Sequence, residues 1–156
     1  MKSLRDVSAG SLDGARLGPL LERRVRHVVS ENARTVEAAR ALERGDVPAL
    51  GDLLYASHAS LRDDYEVSCA ELDAVVEAAG AFDRSVVPGA RMTGGGFGGC
   101  ALVLVRDDRA AEVARTLEQA FVQRTRGALD VFVARPARGA RALPVQGAAS
   151  AGTRAR

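Results

Sequence analysis

Residues 89 to 105 read GARMTGGGFGGCALVLV, and how this stretch is read decides the fold. Five glycines occupy the six positions from Gly94 to Gly99, interrupted by Phe97. Glycine loses more backbone freedom on folding than any other residue, so such a run needs a reason. CALVLV at 100–105 is a short continuous apolar run of the kind that forms a buried strand. SVVPGARM at 85–92 is a second strand, interrupted by a Pro-Gly bend. The glycines therefore join two strands. Gly94, Gly96 and Gly99 match G-x-G-x-x-G, but a dinucleotide site needs a helix directly after the glycines, and here a strand follows. A Walker loop needs G-K-[S/T], and Gly99 is followed by Cys100. Two readings remain: a tight connection that needs positive φ, or a backbone that must lie close to a ligand or another loop. Five glycines exceed what a turn requires, which favours close approach.

Outward from the loop, the period becomes helical on both sides. Asp107 or Asp108 caps a helix whose inward face is Ala110, Val113, Leu117 and Phe121. DVFVA at 130–134 reads as a final strand. On the N-terminal side, Pro19 opens a helix with a stripe of Leu21, Val25, Val28, Val29, Val36 and Leu42, and Gly45 ends it. Asp46 caps a second helix, with Pro48 in its first turn and Val47, Leu50, Leu53, Leu54 and Leu61 along one face. SCAE at 68–71 has the capping-box pattern, with Ser68 as N-cap and Glu71 at the third helical position, opening a helix that buries Leu72, Val75, Val76 and Ala79. Helices followed by strand–loop–strand–helix–strand make an α+β domain. Residues 1–18 read as a linker with one short helical turn, 19–143 as the domain, and 144–156 as a disordered tail.

Composition narrows the function. With 47% hydrophobic residues in 156, the chain can build one real core. A net charge of +2 and 4% aromatics provide no nucleic-acid surface. No apolar stretch is long enough to span a bilayer, which points away from a membrane partner and toward the cytoplasm. Cys69 and Cys100 form no C-x-x-C and read as reduced thiols, and His27 and His58 lack ligand spacing, so no metal site is expected. Ser57, His58, Asp63, Asp64 and Tyr65 sit close together in sequence. They could be a base with its orienting carboxylate, but they read better as a helix end held by local hydrogen bonds. Arg23, Arg24, Arg26 and Arg62 read as solvated faces or interdomain contacts.

GARMTGGGFGGCALVLV resembles the third signature motif of galactokinases, which belong to the GHMP small-molecule kinases. RRVRHVVSEN at 23–32, SHASLRDDYEVSCAELDAVVEAA at 57–79, SLRDVS at 3–8 and DVFVARPARGARAL at 130–143 resemble the C-terminal half of the same family. Ala70 stands where that family usually has proline. Galactokinases are much longer, and nothing here resembles their sugar-binding motif, ATP phosphate loop or catalytic acid. The resemblance implies a GHMP-kinase C-terminal domain: an antiparallel, ferredoxin-like sheet without its first strand, packed with about four helices. It implies ATP and magnesium as cofactors, bound mainly by an N-terminal galactokinase half, and galactose as the substrate. Gly94, Gly95, Gly96, Gly98 and Gly99 would complete the site, Phe97 would anchor the loop into the core or a domain interface, and Met92 and Thr93 would border the cleft. The chain alone is expected to be inactive and to self-associate. The alternative is a non-catalytic sugar-sensing or interaction module derived from a galactokinase.

Overall fold

A computed structural model describes residues 3–7, 17–137 and 139. It contains four helices: α1 (Pro19–Arg44), α2 (Val47–Asp63), α3 (Ala70–Gly80) and α4 (Ala110–Thr125). Strands β1 (Gly89–Thr93) and β2 (Cys100–Leu104) pair antiparallel, from Gly89↔Leu104 to Thr93↔Cys100. Single 3-10 turns precede α1 at Leu4–Asp6 and α4 at Asp107–Arg109. The expected disordered tail at 144–156 lies outside the described residues.

Local signals place most of these ends. Pro19 occupies the first turn of α1, and Gly45 closes the helix in the left-handed region. The Asp46 carboxylate accepts the Ala49 N–H at 3.1 Å and so caps α2. The third cap differs from expectation. Cys69 is the N-cap of α3, and the Ser68 hydroxyl instead donates to the Asp73 carboxylate at 2.5 Å.

The main core forms where α3 and α4 lie against the sheet. Val76, Ala79, Val86, Val87, Ala90, Val113 and Leu117 are buried together. Phe121 of α4 packs with Ala74 and Val75, and Met92 packs with Leu61 and Leu72. The expected inward faces of α3 and α4 are the observed ones.

Other expectations are corrected. The Pro-Gly pair does not interrupt a strand, because β1 begins at Gly89. A side chain on Gly51 of α2 would overlap the Pro88 carbonyl, and one on Gly89 would lie 2.6 Å from the Gly51 Cα. These two glycines let helix and strand touch backbone to backbone. Residues 130–134 form no strand. A strand exists through pairing, and here residues 130–134 join no ladder and leave Val131, Phe132 and Val133 exposed. The α1 stripe is only partly inward: Val29 is buried, but Leu21, Val36 and Leu42 are exposed. Among the described residues no helix is long and apolar enough to cross a membrane.

Candidate functional site

The glycine loop leaves β1 after Thr93 and re-enters β2 at Cys100. Four of its five glycines, Gly94, Gly96, Gly98 and Gly99, have positive φ, and so does Phe97 at 59°. Turn geometry therefore explains much of the run. Close approach explains the rest at one position. A side chain on Gly96 would overlap the Val67 carbonyl and lie 2.8 Å from the Val67 Cβ. The same carbonyl accepts the Phe97 N–H at 2.7 Å. The loop thus sits on Val67, in the connection between α2 and α3. On its other side it is bare: a Cβ at Gly94, Gly95, Gly98 or Gly99 would meet nothing within 4 Å.

The flanking residues divide. Met92 is fully buried against Leu61 and Leu72, so its side chain supports the loop from below and does not border a cleft. Thr93 is exposed at the loop entrance. Phe97, with its backbone in the left-handed region, is 78% exposed and does not anchor into the core of the described residues. It lines an open groove of about 700 Å³ together with Leu21, Val25, Val28, Tyr65 and Gly95.

Beneath the loop lies a polar lattice that joins the two other motifs, 23–32 and 57–79. Glu31 of α1 is its hub. It accepts from Ser57 at 2.5 Å, from Arg34 at 2.7 Å and from Arg91 of β1 at 3.2 Å. Burial pushes the Glu31 carboxyl up, but the Ser57 hydroxyl and the two guanidiniums outweigh it and hold it below 4.5. His27 stacks on Tyr65 with centroids 4.4 Å apart, and its Nδ1 lies 3.0 Å from the Ser60 hydroxyl. Ser60 in turn donates to Asp64 at 3.3 Å. Burial lowers the His27 pKa, which keeps the ring neutral.

His58 is 3% exposed, and its Nδ1 accepts the Met92 N–H at 3.2 Å. That bond requires an unprotonated Nδ1 and covers the outer edge of β1. The Nε2 faces Asp73 at 3.2 Å, out of line for a hydrogen bond. Burial again lowers the pKa, against the pull of Asp73.

The cluster at 57–65 does not converge on one point. Ser57 turns to Glu31, His58 to β1, Asp63 to Arg62, and Asp64 to Ser60 and Arg26. It is a helix end held by hydrogen bonds. Arg23, Arg24 and Arg26 are not free faces: Arg23 and Arg24 pair with Glu66 at 2.8 and 2.6 Å, and Arg26 pairs with Glu22 and Asp64. Sequence reasoning missed Glu31, Glu66, Val67 and Gly51. Only Gly51 left a signal, as an isolated glycine inside a helical pattern. Among the described residues no three His, Cys, Asp or Glu side chains are grouped to hold a metal.

Two comparisons bear on this arrangement. The family model described as "GHMP kinases C terminal" matches residues 38–123. The solved structure of Lactococcus lactis galactokinase complexed with galactose is 40% identical, with a TM-score of 0.77. The similarity covers 82% of this chain and 33% of that one, so the chain spans about a third of the related protein.

Proposed function

The chain belongs to the GHMP kinase C-terminal family, and from that premise we propose that it is the glycine-loop portion of a galactokinase. The reaction is transfer of the ATP γ-phosphoryl group, with magnesium, to the anomeric hydroxyl of galactose. One observation carries the reading: four of the loop's glycines present bare backbone with nothing opposite them, on a loop fixed from behind by Val67. Side chains there would hold a ligand or a facing domain away. Phosphoryl transfer depends mostly on positioning and on charge stabilisation, and a rigid, unobstructed wall contributes to the first.

On this reading magnesium and the charge-stabilising groups are held mainly by an N-terminal galactokinase half. Gly94, Gly95, Gly98 and Gly99 border the ATP and sugar site. Phe97 and the groove beside it meet that half, and Thr93 marks the cleft rim. Residues 19–143 act as one domain of a cytoplasmic enzyme. Without its partner the chain self-associates, through the exposed groove and the outer edge of β2, where Leu102 is 52% exposed.

The test is ADP release with galactose and Mg·ATP. The chain is assayed alone and then co-expressed with the N-terminal portion of the related galactokinase. The chain alone should show no turnover, and the co-purified pair should reach a kinase-like rate, roughly 1–100 per second. Turnover by the chain alone would contradict the division of labour. A co-purified pair that never turns over galactose would favour the non-catalytic module.

A further inference from the structure

Two positions of unfavourable backbone flank one hydrogen bond, Phe97 donating it and Glu66 preceding its acceptor Val67. Glu66 and Phe97 both have positive φ, at 57° and 59°, although each carries a side chain. Left-handed backbone is uncommon for such residues and persists where surrounding contacts over-determine it. Glu66 orients Val67, whose carbonyl accepts the Phe97 N–H at 2.7 Å and closes over Gly96. The placement of the glycine loop therefore follows from the turn at Glu66.

That turn is tied to α1. Arg24 donates from one nitrogen to the Asp64 backbone carbonyl and from another to the Glu66 carboxylate, both at 2.6 Å. Arg23 takes the second Glu66 oxygen at 2.8 Å. One guanidinium thus bridges main chain and side chain on either side of Tyr65 from two separate nitrogens, a fixed fork that the single nitrogen of an ammonium does not reproduce. We infer that Arg24, acting with Glu66, is a positioning residue for the glycine loop. It clamps the α2–α3 connection to α1 and so fixes the Val67 carbonyl on which the loop rests. The functional consequence rests on the reading of 92–100 as a site-completing loop, whereas the clamp itself does not.

Residue-resolved amide exchange of the 156-residue chain, read by mass spectrometry at a dilution where light scattering shows a monomer, tests the clamp without any activity. In Arg24→Gln and in Glu66→Gly, the Phe97 N–H should exchange at least tenfold faster, while the Val75 and Leu117 amides keep their protection. Glu66→Gly is the sharper variant, because glycine adopts the left-handed backbone readily, so the loss is that of the side chain and its ion pairs. Arg24→Lys should fail to restore Phe97 protection. Unchanged Phe97 exchange in both Arg24→Gln and Glu66→Gly would overturn the inference. So would a loss of protection shared equally by Val75 and Leu117. In the assembled kinase, Arg24→Gln should lower turnover at least tenfold. Faster Phe97 exchange with normal turnover would leave the clamp standing and remove the loop from the site.

Discussion

Helices α1 and α4 are both amphipathic in sequence, yet they are held in different ways. The apolar face of α4 is wholly inward: Val113, Leu117 and Phe121 are each at most 6% exposed. Helix α1 leaves Leu21, Val36 and Leu42 more than half exposed and is fixed largely by polar contacts, through His27, Glu31, Arg24 and Arg26. Apolar burial is non-directional and sets how strongly elements associate. Hydrogen bonds and ion pairs are directional, and they determine where α1 stands relative to α2, β1 and the turn beneath the loop. On this contrast the α4 side is expected to supply most of the stability and the α1 side registration.

If that contrast holds, truncation on the α4 side costs most. Phe121→Ala should destabilise the domain by about 3–5 kcal/mol, as measured by urea unfolding. Glu31→Gln should cost less, about 1–3 kcal/mol, because it leaves Ser57, Arg34 and Arg91 competing for a neutral acceptor. An equal cost at both sites would erase the contrast.

The pH dependence sharpens it further. His27 and His58 are both held below 6.5 in the fold, so the unfolded chain binds protons first as the pH falls. Their contribution is fully present above pH 6.5 and is lost progressively below it. Glu31 is held below 4.5, so its contribution is lost only in a lower window, beneath that value. Urea midpoints should therefore begin to fall between pH 7 and 5 in the native chain, and fall less in His27→Asn. A flat profile over that range would mean the histidines are not buried as neutral rings. The smallest effect belongs to the exposed α1 stripe: Leu42→Ser should change stability by no more than about 0.5 kcal/mol. A larger loss would show that a partner surface covers that stripe.

Much of the α4 side was legible in the sequence, because helical periodicity and burial coincide at Ala110, Val113, Leu117 and Phe121. Caps that act within one turn, such as Asp46 and Gly45, were also readable. Most of the misreadings share a cause, with Ser68 the local exception: the outcome depended on something distant in sequence. The α1 stripe looked inward because periodicity cannot tell which part of a face finds a partner. The Ser68 cap was displaced because Asp73 competes for its hydroxyl. Residues 130–134 have strand composition but join no ladder, and composition alone cannot supply the pairing. At the glycine loop, the sequence showed that backbone was needed. It could not show that Gly96 rests on Val67 or that Phe97 turns outward.

Gly95 offers the most direct test of whether the bare side of the loop serves something beyond this chain. Unlike its four glycine neighbours in the loop it has no positive φ, and a Cβ there meets nothing within 4 Å. Among the described residues nothing requires glycine at this position. Gly95→Val is made in the assembled kinase, with Gly96→Val as the comparison, and unfolding and ADP release are measured together. Gly96→Val should loosen the loop and lower activity, because its side chain meets the Val67 carbonyl. Gly95→Val should leave the unfolding midpoint unchanged and still reduce turnover by at least tenfold. Normal turnover in Gly95→Val would show that the loop is a turn and nothing more.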